Sequence, residues 1–369
     1  MLFEGAIDAA VWVGGASYIG SILWLVRGLQ KPAPPADNTG QPTLSIIVAA
    51  RDEEKALEGC LQALSEQDYE GVWEVVVVDD RSRDSTGELA GRWAERWAAL
   101  KVVRASDQPL FRCPKKSALA QGIAASSGEV LLFTDADCRP PRHWARSMAA
   151  HFGPRVGLVA GHAHTRAGES LMQRVLSLEN TAIGALAAGS FSQGKPLSCT
   201  GRNLGYRRAV YDEVGGYAAI GHLLGGDDVY FMRRVAECSD WQLVFNRDAV
   251  VQSLPASSDW SAIVHQKMRH AAKGGHYRGP ALVLAGCVYI FHLALGVGLL
   301  TAAGGWYWGL SLWAFWAMRW FVDILLLLAM QRGKAKGWLW YVPLLEVLYI
   351  PYVALLAPAG RLGLFRWKK

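Results

Sequence analysis

Four stretches of this 369-residue chain, 7–26, 281–303, 306–330 and 338–357, are too long and too apolar for a protein that lives in water throughout. About 20 residues of helix cross the hydrocarbon of a bilayer, where every backbone polar group must be satisfied within its own segment. The chain is therefore expected to put helices in a membrane at both ends of the sequence and a folded domain between them. No Lys or Arg precedes the first stretch, which has Glu4 before it and Asp8 within it, so it reads as a retained anchor over residues 1–30. Arg27 and Lys31 follow it and, by the positive-inside rule, place the central region in the cytoplasm, on the inner membrane if the cell is bacterial. In the third stretch Arg319 and Asp323 stand four residues apart and can pair, which lowers the penalty of burying each. The last contains Pro343, Glu346, Pro351 and Pro358 and can be a kinked span or a re-entrant segment. A basic loop at 332–336 fits the charge rule, whereas a fourth full span would put Arg361, Arg366, Lys368 and Lys369 outside. Region 280–369 is thus expected to hold two or three spans.

Between these ends the pattern changes. Residues 31–42, rich in Pro and Gly, form a linker, and 43–258 read as one α/β domain. Strands at 44–49, 73–78, 101–104 and 130–133 alternate with helices at 53–67, through 93–99, and at 117–125, which implies a mostly parallel sheet with right-handed crossovers. The second half is less regular: a strand at 156–161, helices at 170–188 and 207–214, a Gly-rich loop at 198–205, and a helix through 236 after Asp227 and Asp228. Residues 259–276 suit a helix carrying Trp260, Ile263, Val264 and Met268 beside Lys267, Arg269 and Lys273, so 259–279 is expected at the membrane face. The net charge of +6, with basic residues beside apolar segments, points to a membrane surface and phosphorylated ligands and away from nucleic acid. The six cysteines lack C-x-x-C spacing and fit buried thiols in a reducing compartment.

The chemistry starts at the run Val130-Leu131-Leu132-Phe133, followed by Asp135 and Asp137. A short continuous apolar run is how a strand buried on both faces reads, and in open α/β sheets ligands bind beyond the carboxyl ends of strands. Two carboxylates with one small residue between them can converge on a hard divalent cation that keeps positions open for phosphate oxygens. Taken alone, so short a motif is more often a solvated acidic turn.

It does not stand alone. Residues 49–53 (A-A-R-D-E), 77–86 (V-V-D-D-R-S-R-D-S-T), 114–119 (P-K-K-S-A-L), 135–137 (D-A-D), 226–228 (G-D-D) and 266–270 (Q-K-M-R-H) resemble, in order, the motifs of the inverting family 2 glycosyltransferases. The resemblance covers 43–277, and the flanking spans are similar to those of membrane-bound members such as ceramide glucosyltransferases and polysaccharide synthases. It implies a GT-A-type nucleotide-sugar-binding α/β domain, plus α-helical transmembrane segments, and Mg²⁺ or Mn²⁺ held by Asp135 and Asp137. It further implies that Glu53 meets the donor ribose, that Asp79 or Asp80 recognises the base, and that Lys115 neutralises phosphate. Gln266 and Arg269, sharing a helix face at i, i+3, would hold the diphosphate. Asp228 aligns with the general base that takes the acceptor hydroxyl's proton, while Asp227 orients it or caps the next helix. Asp84 and Thr86 have the look of structural caps. The sequence departs from the family pattern at Ala49, Asp52, Pro114 and His270, where Pro, Asn, Gly and Trp are usual. Residues 199–203 (C-T-G-R-N) take the place of the acceptor-side loop, which implies Arg202 and Asn203, with His270, as acceptor contacts. His162 and His164 alternate on a strand without an evident third metal ligand.

The expectation is a metal-dependent, inverting glycosyltransferase that moves a sugar from a nucleotide diphosphate donor, a UDP-sugar, to a lipid acceptor at the cytoplasmic membrane face. A processive polysaccharide synthase is the first alternative, disfavoured by the few apolar segments and the missing Trp. A non-catalytic nucleotide-sugar-binding scaffold is the second; it would not need Asp135, Asp137, Asp228 and Arg269 together.

Overall fold

Helices and strands alternate along the first half of the chain in the structure, a computed structural model that describes residues 2–33, 40–272, 280–305, 309–331 and 336–364. The order begins α1 (Leu2–Gln30), β1 (Leu44–Ala50), α2 (Leu57–Ser65), β2 (Trp73–Asp79), α3 (Thr86–Arg96), β3 (Leu100–Arg104), α4 (Pro114–Ala124) and β4 (Val130–Phe133). It continues with β5 (Cys138–Arg139), α5 (Trp144–Ala149), β6 (Val156–Thr165), α6 (Leu171–Ser192), β7 (Leu204–Arg207), α7 (Arg208–Glu213), α8 (Val229–Cys238) and β8 (Gln242–Ser253). The rest is helical: α9 (Trp260–Ala272), α10 (Pro280–Ala303), α11 (Leu310–Gln331), α12 (Val342–Pro351) and α13 (Ala357–Arg361).

An α/β unit comprises Lys31–Arg166 and Leu186–Leu254. Its eight strands form one sheet in the order β3-β2-β1-β4-β7-β6-β8-β5. β3, β2, β1 and β4 run parallel, as do β6 and β8, while β7 runs against both of its neighbours. Ile46, Ile47, Val48 and Val75 to Val78 are fully buried, continuous apolar runs in place of alternation, because helices cover both faces of a parallel sheet. Register then sets the site. Ala50 lies opposite Asp79, and Phe133 opposite Ile47, so the loops after β1, β2 and β4 all leave from the same edge.

The opposite ends of these strands are tied by a carboxylate. Glu74, 9% exposed, accepts hydrogen bonds from Ser45 Oγ at 2.8 Å and from Ser127 N at 2.6 Å and Oγ at 2.8 Å, and pairs with Lys101 at 2.6 Å. Burial by itself would raise this carboxyl; the ammonium and the Ser127 and Ser45 donors outweigh it and lower it to about 2. A depressed carboxylate adds stability that is present above its unfolded pKa and lost as pH falls from about 4.5 towards 2. Glu74→Gln is accordingly expected to cost about 2 kcal/mol at pH 7, allowing for the half-exposed Lys101. Thermal unfolding of detergent-solubilised protein should show the gap from wild type closing as the pH is taken from 7 to 3. A gap that stays constant would mean that Glu74 acts by shape and not by charge.

Three differences from expectation have physical causes. β7 and β8 went unrecognised because their patterns are interrupted: in β8 the polar residues Asn246, Arg247 and Asp248 sit at a bulge, where the partner of β6 jumps from Asn246 to Val251 within two residues. α2 starts at Leu57 because residues 51–56 are wound into a turn. Residues 167–185, expected within the 43–258 domain, group instead with the apolar helices.

That helical unit comprises Met1–Gln30, Ala167–Ala185 and Pro255–Lys369. Its helices include four long and apolar enough to cross a membrane: Gly5–Gln30, Leu282–Ala303, Leu310–Gln331 and Gly337–Arg361. Leu178 of α6 packs with Leu327 and Val342, and Glu179 forms an ion pair with Lys267 of α9, which is why 167–185 belongs here. Arg319, 1% exposed, pairs with Glu346 at 2.7 Å and lies 3.8 Å from Asp323, which also accepts from the Tyr18 hydroxyl at 2.8 Å. Glu346 thus joins the pair expected from sequence. The last apolar stretch passes through Pro351 into a π-helical turn, Tyr352–Leu356, before α13. Linker residues 34–39, 273–279 after α9, Trp306, the basic loop at 332–335, and the tail with Arg366, Lys368 and Lys369 lie outside the described residues.

Candidate active site

Two loops at the shared sheet edge are knitted together by their own side chains. The Asp52 amide donates to Ser82 Oγ at 3.1 Å, and Asp52 Oδ1 accepts from the Arg83 amide at 2.8 Å. The Glu53 amide donates to Thr86 Oγ1 at 2.8 Å, and the Glu54 amide to Asp84 Oδ2 at 3.1 Å. Asp52 and Arg81 take left-handed backbone angles, φ +54° and +59°, a conformation that costs a non-glycine residue energy and is held here by this reciprocal bonding. Asp84 and Thr86 are therefore placed as structural residues. The two candidates for base recognition have local partners as well: Asp80 is buried and paired with Arg81, and Asp79 Oδ1 accepts from the Ser82 amide at 3.0 Å. Glu53 is half-buried at the start of the turn.

Beyond β4 the acidic pair meets the other charged motifs. Pro114 opens α4, and Lys115, in its first turn, sends Nζ to Asp135 Oδ1 at 2.6 Å and to Asp227 Oδ2 at 3.5 Å. Burial would lower the Lys115 ammonium, but Asp135, Asp227 and Asp228 outweigh it and hold it well above the usual range. Asp137 is raised above the ordinary carboxylate range, first by burial and then by the like charge of Asp135. Its Oδ1 accepts the Cys138 thiol at 3.4 Å. Among the described residues no group of three or more His, Cys, Asp or Glu could hold a metal. The Asp135–Asp137 pair offers carboxylate oxygens alone, a donor set that fits a hard cation completed by phosphate and water. A small pocket of about 10 Å³ is lined by Lys115, Phe133, Thr134, Asp135, Gly201 and Asp227 among others.

The G-D-D turn needs its glycines. Gly225 and Gly226 sit at φ +68° and +67°, and a Cβ on Gly226 would lie 2.3 Å from the Tyr230 ring. Asp228 caps α8: its carboxylate accepts from the Val229 amide at 2.7 Å and from the Gly201 amide at 3.3 Å. Of the two roles the sequence left open for Asp227, orienting Asp228 or capping the helix, the cap falls to Asp228, and Asp227 turns towards Lys115. Gly201 allows the close approach, since a Cβ there would stand 3.2 Å from Asp227 Oδ2 and 3.9 Å from Lys115 Nζ.

The acceptor-side expectations divide. Asn203 is 0% exposed, donates to the His162 and Ala249 carbonyls at 2.9 and 2.8 Å, and accepts from Trp144 Nε1 at 2.9 Å. A side chain so buried and so bonded holds β6, β7 and β8 together and is out of a substrate's reach, a correction to the sequence expectation. Arg202 is half-buried beside it, and the Thr134 hydroxyl donates to its carbonyl at 3.0 Å. Gln266, Arg269 and His270 belong to α9 of the helical unit, the first two half-buried and His270 exposed. Sequence reasoning missed Thr134 and Cys138; a lone Thr or Cys gives no signal until its neighbours are known.

Comparison with known proteins agrees with this layout. Residues 45–215 match the family model for glycosyl transferase family 2. Glycosyltransferase AglE of Haloferax volcanii is 29% identical over 213 residues, 57% of this chain and 66% of its own length. A beta-monoglucosyldiacylglycerol synthase of Synechocystis is 29% identical over 148 residues, 38% of this chain and 30% of its own. The chain thus spans less than two thirds of either relative. Mannosyltransferase PcManGT of Pyrobaculum calidifontis, solved in complex with GDP-Man and Mn²⁺, superposes with a TM-score of 0.66 at 21% identity, covering 96% of this chain and 99% of that one, a likeness of fold. The sheet order, the matched residues and this superposition agree: over residues 45–215 the chain carries a glycosyl transferase family 2 domain, with a GT-A-like α/β fold.

Proposed function

We propose that this protein is a metal-dependent, inverting glycosyltransferase that moves a sugar from a nucleotide diphosphate donor, a UDP-sugar, to a hydroxyl of a lipid acceptor at the cytoplasmic face of the membrane. The observation that carries the reading is the convergence of Lys115, Asp135 and Asp227, within 3.5 Å of one another through Nζ, beside Asp228. Four candidate spans and a relative named for diacylglycerol glucosylation support the lipid acceptor, and the neighbour solved with GDP-Man and Mn²⁺ supports the nucleotide donor and the cation.

The roles follow from chemistry. The loops carrying Glu53, Asp79 and Asp80 receive the nucleoside, whose hydroxyls and imide suit carboxylate acceptors. Asp135 and Asp137 would hold Mg²⁺ or Mn²⁺, which would supply Lewis-acid charge to the departing diphosphate. Lys115 adds a point charge on the same side. Asp228 takes the acceptor's proton while the oxygen attacks opposite the leaving group; two amide donors fix the orientation of its carboxylate.

The test is purified full-length protein with a panel of UDP- and GDP-sugars and mixed membrane lipids, with and without Mn²⁺. A single-sugar lipid of inverted anomeric configuration, formed only with the cation, is the expected product. A polymer would favour the processive synthase, and a retained configuration would remove Asp228 as base. Metal-dependent nucleotide binding without turnover of any donor would favour the scaffold.

A further inference from the structure

We propose that Arg202, beside His162 and His164 at the Asp137 end of the acidic pair, is a subsite for a phosphate-class anion carried by the lipid acceptor. The inference rests on the glycosyltransferase reading above and names its acceptor more closely.

The guanidinium is fixed by neutral oxygens. Nη1 donates to Ser253 Oγ at 2.7 Å and to Thr165 Oγ1 at 3.1 Å, Nε to Thr200 Oγ1 at 3.4 Å, and Nη2 only to the Ala163 carbonyl at 3.5 Å. Among the described residues no carboxylate is in ion-pair contact with it. A charge half out of water, held rigidly without a touching counter-charge, is unfavourable until an anion arrives. Nη2, with the weakest bond, has a donor to offer. Asp137 feels the Arg202 charge from a distance, without an ion-pair contact between them.

The neighbours fit the same ligand. His162 and His164 are two apart on β6, with ring centroids 5.9 Å from each other. His162 is 7% exposed, and burial, followed by the His164 and Arg202 charges, lowers it to about 3. His164 is lowered for the same first reason. Neutral imidazoles beside a guanidinium can donate N–H groups to an anion without repelling the guanidinium. The acidic pair therefore has a cation at each end. Lys115 is engaged at Asp135, the side assigned to the donor diphosphate, and Arg202 stands on the Asp137 side, since its partner Ser253 lies opposite Cys138 in the ladder of β5 and β8. A planar guanidinium suits the oxygens of a phosphate, whereas an acceptor with only hydroxyls makes no use of it.

The experiment uses full-length protein in detergent, with short-chain phosphatidic acid, the matching diacylglycerol and inorganic phosphate as binding probes read by tryptophan quenching; sugar transfer is followed separately with the mixed membrane lipids, because phosphatidic acid has no free hydroxyl. Wild type should bind phosphatidic acid at least about tenfold more tightly than diacylglycerol, and Arg202→Met should bring that ratio close to one. Arg202→Lys, which keeps the charge and loses the fork, should fall between them and serves if Arg202→Met does not fold. The proposal is overturned if wild type shows no preference, if Arg202→Met weakens neutral and anionic lipids alike, or if the loss falls on Mn²⁺–nucleoside diphosphate binding. Inorganic phosphate competing as well as phosphatidic acid would overturn the lipid-borne source. Because the binding arm needs no turnover, failure of sugar transfer would sink the glycosyltransferase reading without touching this result.

Discussion

Asp228→Asn should reduce the turnover number for sugar transfer about a thousandfold at saturating donor and cation, the range expected when a positioned general base is removed. The substitution suits the question because it changes little else. Asn caps a helix nearly as well as Asp, so α8 should keep its start. The side-chain oxygen of Asn can still accept from the Val229 amide, which holds one oxygen of Asp228 at 2.7 Å. What disappears is the negative charge that, on the proposed reading, would receive the proton. Asp227→Asn is the comparison to run beside it. That carboxylate stands 3.5 Å from Lys115, so its loss should act on donor binding through Lys115 and change the donor KM more than kcat. Initial rates over a donor series separate the two. If Asp227→Asn abolishes turnover while Asp228→Asn retains more than about a tenth of it, the base is Asp227 and the geometry at α8 is only a cap.

The difference between Asp227 and Asp228 also marks where the sequence stops being informative. Adjacent acids before a helix both look like caps and both look like bases; only the turn made by Gly225 and Gly226 at positive φ decides which carboxylate meets the α8 amides and which meets Lys115. Elements whose identity rests on one local pattern were legible. The buried runs of β1, β2 and β4 announce a parallel sheet because nothing polar interrupts them, and the acids that follow mark its ligand edge. β8 was hidden because Asn246, Arg247 and Asp248 interrupt a strand that long-range pairing with β6 sustains. Asn203 was misjudged for a related reason. A polar residue in a Gly-rich loop looks available to substrate, and only the three-dimensional arrangement shows that Trp144, His162 and Ala249 use its whole amide. Residues 167–185 carried a helical pattern, but the partners that draw them to the apolar helices, Lys267, Leu327 and Val342, are far away in sequence.

The acidic pair carries the other large effect. Asp137→Asn should leave the fold standing and lower kcat/KM by about a thousandfold or more, because on the proposed reading one of the two carboxylates that would hold the cation is removed and several kcal/mol of charge stabilisation on the leaving group would go with it. Asp135→Asn should be as damaging to turnover but should differ in a second respect. Asp135 is also the closest partner of Lys115, at 2.6 Å, so its neutralisation frees that ammonium to meet phosphate directly. Nucleoside diphosphate binding should therefore become less dependent on added Mn²⁺ in Asp135→Asn, while in Asp137→Asn, where the Lys115 pair is intact, it should weaken and still respond to the ion. Titrating a fluorescent nucleotide with and without Mn²⁺ reads this directly, without needing any transfer to an acceptor. Equal turnover in chelator and in Mn²⁺ would remove the cation from the mechanism and leave Lys115 as the main counter-charge. Identical behaviour of the two variants would mean that Lys115 and the cation do not compete for Asp135, and that the ion pair between α4 and the end of β4 only positions the loop.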